Sequence, residues 1–473
     1  MTAVQKYDVI IIGAGIGGLM TAYKLKNEDK NLKVLILDKG NDLHKRICPA
    51  QSGKPCVHCK TCAITSGFAG AGAFSDGKFN LGTAYGGTLG EELGEQEAHR
   101  YICEVDDILV KCSVSAKDND GSEKVAKVYY SNDDLKLKCL QNNLQLLDMN
   151  VRHWGTDKNL IVMNELIMKL LVMGVELRSN STVDDVVPYS QYEGRYIVGI
   201  KETNERLLTD NVVFAVGRGG TKYFSEFCAE NGIPMTSNAV DIGVRVEMKD
   251  AVWKEFSDKI YEPKIVCRTK TFEDKTRMFC FNKGGIVSAE NNNGIITANG
   301  HAYSDSSKRT DNCNFAILSS IHFTEPFDEP TVYAQNISSL ANMIGNGNVI
   351  VQRFGDLIRG RRTNEHRLLQ STVKPTLKAT PGDISLVLPH RILTNIIDTI
   401  YALDKVAPGT ANDDTLLYAC ESKYYSVRPK MDKDFSLMPG IYAVGDCSGI
   451  CRGLSQSGAM GLYVAERIIH NEK

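Results

Sequence analysis

Three glycines, Gly13, Gly15 and Gly18, stand at the G-x-G-x-x-G spacing behind the apolar run Val9 to Ile12, and Asp38 follows twenty residues after the last of them. In such a turn the first glycine allows the bend, the second lets a pyrophosphate approach the backbone, and the third lets the following helix pack close on the strand. The helix start offers free N–H groups to phosphates. A carboxylate at Asp38 accepts hydrogen bonds from an adenosine ribose. Strand, glycine turn, helix, second strand and acid together predict a dinucleotide site, and leave open whether the nucleotide is FAD or NAD.

Cysteines supply the second chemistry. Cys48, Cys56, Cys59 and Cys62 are separated by seven, two and two intervening residues. The C-x2-C-x2-C spacing can turn three thiolates toward one metal, with Cys48 completing four and His58 within the turn. Iron–sulfur, zinc, reversible disulfides and reduced thiols all remain readings, because the complete ferredoxin run C-x2-C-x2-C-x3-C-P is missing. The metal is therefore left unassigned. Cys447 and Cys451, in GDCSGIC ahead of a helix, offer a possible dithiol whose thiols a helix terminus would acidify; their x3 spacing and the habit of small cysteines to pack argue the other way.

A third set lies in the second half of the chain. Arg309 and Arg353 can clamp a carboxylate, because guanidinium presents paired donors, and His301, after ITANG, is the candidate for proton transfer. Arg277, Asn314, His322, Arg359 and His390 are weaker candidates, and the basic run Ile358 to Arg362 reads as a solvated helix end.

These residues need elements to hold them. The Val9 to Ile12 run suits a strand buried on both faces, and Leu32 to Leu37 makes a second. Asn159 to Met173 has helical periodicity, short strands are expected near Val110 and over Lys127 to Tyr130, and Val212 to Val216 returns to the sheet. Alternating segments between Val240 and Leu388 predict antiparallel strands with one covered face. Ile392 to Leu403 reads as a helix, Ile441 to Val444 as a last strand, and a long helix closes the chain. The organisation expected is an FAD-type first segment over 1–100, a small insertion over 101–150, a middle segment over 151–239, a substrate or cap domain over 240–388, and a closing segment over 389–473. At 473 residues the chain suits two or three domains. A formal net charge of -2 gives no general pull toward nucleic acid or anionic membrane. With no apolar run near the roughly 20 residues that span a bilayer, and glycines where a signal peptide would stay apolar, a cytoplasmic protein is expected.

VIIIGAGIGGLMTA with LILDKG, the VVFAVGRGG turn and GIYAVGDCSG with its closing helix resemble the glutathione-reductase-like FAD proteins. CVHCKTC followed by GFAGAGAFSDGKFNLG, then RMFCFNKGGIV, ITANG and GDCSGICRGLSQSGAMG, more closely resemble the family of largely uncharacterised FAD-dependent dehydrogenases. The resemblance covers nearly the whole chain and is weakest from about 100 to 150. It implies a discontinuous Rossmann-like α/β FAD domain carrying an inserted mixed or antiparallel β-rich substrate domain. It further implies Gly13, Gly15 and Gly18 around the FAD pyrophosphate, with Asp38 and Lys39 at the adenosine end. Gly72, Ala73 and Ser75 would lie near the flavin, with Asp76 and Lys78 behind them. Val183 would back the adenine, Gly217 would help enclose the dinucleotide, and Asp446 would meet the ribityl or phosphate region. Gly453, Leu454, Ser455 and Gln456 would run beside the isoalloxazine.

The function implied is an FAD-dependent oxidoreductase moving two electrons between a small organic substrate and flavin N5, with an unidentified external donor or acceptor. A reductase of an unsaturated or carbonyl compound, and a nonenzymatic flavin–cysteine carrier or sensor, are the alternatives. No second G-x-G-x-x-G marks a fixed pyridine-nucleotide domain.

Overall fold

The computed structural model describes residues 5–48, 59–115, 125–189, 195–292, 294–302, 307, 309–323, 329–423 and 427–471. Two compact units are built from interleaved segments: the first from 1–128, 150–236 and 426–473, the second from 129–149 and 237–425.

In the first unit five parallel strands lie in the order Ile441–Ala443, Glu205–Phe214, Lys6–Ile12, Val34–Leu37 and Glu176–Arg178, with Ser436–Met438 antiparallel at one edge. An antiparallel arm, Val183–Pro188 with Tyr196–Ile200, leads off Glu205–Phe214. Val9 to Ile12 are buried on both faces, as a central parallel strand requires. Chain order runs outward from Lys6–Ile12 in opposite directions, so a topological switch point lies beside that strand, where open α/β sheets bind ligands at the carboxyl ends of strands. Gly13 and Ala215 to Gly217 stand at those ends.

Three helices cover one face: Ile16–Glu28, Glu95–Ser115 and the closing helix Leu454–Asn471. The first and last approach to backbone distance, since a Cβ on Gly461 would stand 2.3 Å from the Gly17 carbonyl oxygen. A strand near Val110 is not what forms. Glu95–Ser115 is one helix, with Ile102, Val105, Leu109 and Cys112 buried at three- and four-residue spacings. Helices also form over Gly155–Val172 and His390–Asp404, matching the periodicity.

The second unit is an eight-stranded mixed sheet: Thr380–Pro381, Ile350–Arg353, Leu416–Lys423, Val240–Lys249, Asn312–Ile321, Lys275–Asn282, Ile265–Arg268 and Leu144–Leu146. All neighbours are antiparallel except the first two. Along Val240–Lys249, Ile242, Val244, Val246 and Met248 enter an apolar core with Trp253, Phe256 and Phe315. Asp241, Arg245 and Glu247, on the alternate positions, are also buried. A separate hairpin, Ile286–Asn292 with Ile295–His301, contacts the sheet. Among the described residues, no helix is long and apolar enough to cross a membrane.

Candidate functional site

At the switch point the glycines divide into closed and open positions. A Cβ on Gly13 would lie 2.3 Å from the Ala215 carbonyl oxygen, and one on Gly18 would lie 2.2 Å from the Gly13 oxygen. Gly13 also has φ of +109°, which L side chains rarely adopt. By contrast, a Cβ on Gly15 or on Gly217 meets nothing within 4 Å. Asp38 is fixed rather than free: its Oδ2 accepts from the Ala14 N–H at 2.9 Å and its Oδ1 from the Gly40 N–H at 2.8 Å. Carboxylate oxygens carry further lone pairs, so a ribose hydroxyl can still donate to them. Lys39 donates to the Gly219 carbonyl at 2.6 Å, bringing two turns of the switch point together.

The stretch Ser66 to Asn80 lies across the same turn, since a Cβ on Gly70 would stand 2.9 Å from Gly15 Cα. Buried Asn159 holds it, donating from Nδ2 to the Gly72 carbonyl at 2.8 Å and the Ala73 carbonyl at 3.1 Å. Ser75 Oγ donates to the Gly72 carbonyl at 2.7 Å, and Asp76 pairs with Lys78 at 2.9 Å. Gly72 meets the other flavin-side stretch directly: a Cβ there would be 2.7 Å from Leu454 Cδ2.

At the head of the closing helix, Gln456 is consumed internally. Its Nε2 donates to the Thr83 and Tyr85 carbonyls at 3.1 Å each, and its Oε1 accepts from the Leu89 N–H at 3.3 Å, so it pins the 83–89 segment. Gly453 packs against Gly86 backbone. Ser455 differs, because its Oγ is buried with no protein partner. Buried hydroxyls are ordinarily satisfied. Asp446 pairs with Arg218 at 3.4 Å, and Val183 begins the arm beside Ile200.

Arg46 organises this site without having been singled out in the sequence. It is buried beside Asp38, stacks over Phe74 at 4.7 Å, and donates to the Ala63 carbonyl at 2.9 Å and the Ile64 carbonyl at 2.7 Å. Burial pulls its pKa down to about 10, against Asp38 and Cys62. Its only sequence signal is a basic residue between the ribose acid and the cysteine loop.

Of the clustered cysteines, Cys48 is half-buried and Cys59 and Cys62 are exposed, all as free thiols. Cys56 and His58 lie outside the described residues. Among the described residues no group of three or more His, Cys, Asp or Glu side chains could hold a metal ion. Cys447 and Cys451 do not have the environment expected of an acidified dithiol. Both are fully buried; Cys447 donates to the Phe214 and Val444 carbonyls and Cys451 to the Gln456 carbonyl, each at 3.3 Å. Burial pushes the Cys447 thiol up to about 12 and Cys451 well above its ordinary value. Packing has overridden the helix-terminus effect.

In the second unit His301 ends the outer hairpin opposite Ile286, and Arg309 packs its stem on Gly284. A Cβ on Gly285 would stand 2.7 Å from the His301 carbonyl, so these two candidates border one turn. Arg353 does not join them as a clamp. Its Nε donates to Asp414 Oδ1 at 3.0 Å, its Nη2 bonds the same oxygen, and Asp356 lies 3.5 Å away. A guanidinium neutralised by two carboxylates is a brace.

A further group was missed. Arg245, fully buried, donates to Asn314 Oδ1 from Nε at 2.9 Å and Nη2 at 2.6 Å, and from Nη2 to the Cys280 carbonyl at 2.7 Å. Buried Glu421 stands 3.6 Å from Nη1, with neither oxygen hydrogen-bonded, and Asn314 Nδ2 is likewise unpartnered. Gly300 lets the hairpin backbone lie on the guanidinium, as a Cβ there would be 1.8 Å from Nη2. The readable signal was charge at alternate positions of the otherwise apolar VDIGVRVEM.

With this geometry in place, two matches to known families bear on it. Residues 240–424 match the family model described as FAD-dependent protein, C-terminal domain-like, and residues 11–50 match an NAD(P)-binding Rossmann-like domain. The glycine turn, the discontinuous sheet and these matches define an FAD-dependent oxidoreductase. The resemblance read from the sequence is thereby borne out, as is the Rossmann-like fold with an inserted mixed sheet. No curated protein matches the chain. Solved structures similar to it include a NikD point mutant, described as an unusual amino acid oxidase (12% identity, 99% of this chain and 95% of that one, TM-score 0.41). Glycine oxidase from Bacillus cereus (12%, 99% and 96%, TM-score 0.38) and the quinol fumarate reductase subunit FrdA of E. coli (13%, 98% and 70%, TM-score 0.40) are others. At these scores they carry no argument about substrate.

Proposed function

We propose that the first unit holds FAD noncovalently across Gly13, Gly15 and Gly18, with Asp38 and Lys39 at the adenosine end and Val183 and Gly217 enclosing the dinucleotide. Asp446 meets the ribityl or phosphate region, and Gly72, Ala73, Ser75, Gly453, Leu454 and Ser455 border the flavin. Gln456 acts behind them by pinning the 83–89 segment. The observation that carries this reading is the open cradle at Gly15 and Gly217 together with the orphaned Ser455 hydroxyl. Bound FAD supplies a two-electron acceptor or donor at N5.

The chain's own groups bind and orient a small organic substrate and move its proton. His301 serves as proton acceptor in the oxidation direction, and Arg309, across the same turn, holds an anionic group. The site of action is the cytoplasm. Anaerobic purification followed by an absorption spectrum is the test: folded protein should retain or take up FAD in a 1:1 ratio, and folded protein that refuses FAD would overturn the reading. His301→Gln should lower kcat while leaving FAD retention unchanged.

A further inference from the structure

The second unit leaves part of its buried polar layer incomplete. Arg245, Asn314 and Glu421 are all fully buried. Asn314 Oδ1 is saturated, accepting from Arg245 Nε at 2.9 Å, Arg245 Nη2 at 2.6 Å and Asn282 Nδ2 at 3.1 Å. Those donors fix which end of the amide is oxygen, so Nδ2 is left as a donor. It has no hydrogen-bond partner among the described residues, and neither has Arg245 Nη1 nor either oxygen of Glu421. Glu421 lies 3.6 Å from Arg245 Nη1 and 3.5 Å from Lys423 Nζ, close to two cations and hydrogen-bonded to neither. Buried polar groups are ordinarily satisfied, and an unmet carboxylate is the costliest of them. The four unmet atoms define a complement: Arg245 Nη1 and Asn314 Nδ2 need an acceptor, and Glu421 needs an O–H or N–H donor.

The hairpin Ile286–Asn292 with Ile295–His301 covers this floor, and it forms a two-stranded sheet of its own. Its root rests on the unmet groups. A Cβ on Gly300 would stand 1.8 Å from Arg245 Nη2, and one on Gly285 would stand 3.1 Å from Asn314 Nδ2 and 2.7 Å from the His301 carbonyl. The orphaned amide thus lies at the turn that His301 and Arg309 border. Side chains rather than a ladder fasten the hairpin to its unit: Asn342 accepts from the Ile296 N–H at 2.7 Å and donates to the Ile296 carbonyl at 2.8 Å, and Thr376 Oγ1 accepts from the Val287 N–H at 2.8 Å. Its buried apolar footing is Val287 and Ala298, in a small cluster with Val349, Val351 and Tyr418. An element held by so little apolar contact opens at a lower free energy than the sheet beneath it.

We propose that this hairpin is a lid over a binding site for a small carboxylic acid bearing an amino or hydroxyl group, with the carboxylate on Arg245 Nη1 and Asn314 Nδ2 and the second group donating to Glu421. The acid enters when the hairpin lifts Gly300 off the guanidinium. Closure returns the turn that bears His301 and Arg309, so Arg309 adds its charge at the same carboxylate. That this acid is the substrate rests on the oxidoreductase reading above; its binding does not. An acid without the second group leaves Glu421 unmet, and an amine or alcohol without the carboxylate leaves Arg245 Nη1 and Asn314 Nδ2 unmet, so the site rejects both.

The test uses the full-length FAD-loaded protein with racemic alanine, racemic lactate and propionate, which share one carbon skeleton and carry an amino group, a hydroxyl group and neither. Calorimetric titration should show alanine or lactate binding at least roughly tenfold tighter than propionate, and the tighter of the two decides between amino and hydroxy acid. Glu421→Gln should shrink that margin. The bound acid should slow amide exchange over 286–301 relative to the strand Asn312–Ile321, as read by mass spectrometry. Gly300→Ala should speed that exchange and open Arg245 to phenylglyoxal, because its methyl holds the root off the guanidinium; Asn342→Ala, which leaves the floor untouched, should speed it too. Propionate binding as tightly as the other two, no binding of any of the three, or hairpin exchange only through global unfolding would each overturn the proposal. FAD absorbance is read in the same samples, so retained FAD without a bound acid strikes this site alone, and lost FAD strikes the cofactor reading.

Discussion

Gly15 and Gly18 belong to one fingerprint, yet their surroundings predict opposite outcomes for the same added methyl. At Gly15 the backbone sits at φ of −73° and a Cβ meets nothing, so Gly15→Ala should leave the apoprotein's stability within about 0.5 kcal/mol. The methyl would occupy the cradle instead, and FAD retention should fall, as a fluorescence titration of the apoprotein would show. Gly18→Ala drives its methyl into the Gly13 carbonyl and should cost about 1–3 kcal/mol by chemical denaturation, with or without FAD. Equal loss of stability in both variants would remove the distinction. The fingerprint's residue types were legible because each has a local reason, and Gly18 is closed locally by the Gly13 carbonyl; that Gly13 itself is closed depends on Ala215, about two hundred residues away in the chain. Arg353 shows the same limit. Its carboxylate partner is supplied by Asp414, which no local spacing reveals. Arg353→Ala should therefore destabilise the fold by about 1.5–3 kcal/mol, by leaving Asp414 without its charged donor while Asp356 keeps Arg361 at 2.8 Å, rather than raise KM selectively. A KM change at unaltered stability would return Arg353 to substrate binding.

The helix pair Ile16–Glu28 and Leu454–Asn471 joins the two ends of the sequence through Gly17 and Gly461. Replacing Gly461 by Ala would put a methyl 2.3 Å from the Gly17 oxygen and 2.9 Å from Thr21 Oγ1, which itself bonds the Gly17 carbonyl. Neither neighbour is a flexible tip that can swing aside, so the helices must separate. Gly461→Ala should lower stability by about 1–3 kcal/mol and weaken FAD retention together, because the glycine turn rides on the displaced helix. Loss of stability with FAD affinity intact would show that the turn is held by the sheet alone. The small-residue pattern at Gly458 and Gly461 made this close packing readable in advance. The helix Glu95–Ser115 was harder. Its run Ile108, Leu109, Val110 resembles a strand locally, and only the buried set Ile102, Val105, Leu109 and Cys112 reveals the 3.6-residue period. Along Val240–Lys249 the alternation was legible, but both faces are buried, so the polar positions signal a buried ionic layer where a solvated face was expected.

The first and last of the three segments that build the first unit meet at Lys24. Its ammonium lies 2.9 Å from Glu104 and 2.9 Å from Glu466, and Glu466 also accepts from the Tyr101 hydroxyl at 2.6 Å. One cation thus ties the helices Ile16–Glu28, Glu95–Ser115 and Leu454–Asn471. For Glu466, burial works against ionisation, but Tyr101, Lys24 and Arg100 outweigh it and hold the carboxyl below its ordinary value. A depressed folded value contributes stability above the unfolded glutamate pKa of about 4.3, and that contribution disappears as pH falls through the folded value. For Lys24, burial again opposes the charge, while Glu104 and Glu466 raise its pKa above the ordinary lysine value. Its contribution is complete below the unfolded value and is lost only as strongly alkaline pH passes the folded one. The network is therefore intact at neutral pH and should fail from the acid side first. In calorimetric melts of the apoprotein from pH 8 down to 3, Glu466→Gln should melt below the parent at pH 7, and the gap should close as the parent's own carboxylate takes up its proton. A gap of constant size across that range would mean that Glu466 stabilises the three helices by packing and hydrogen bonding alone, independent of its charge.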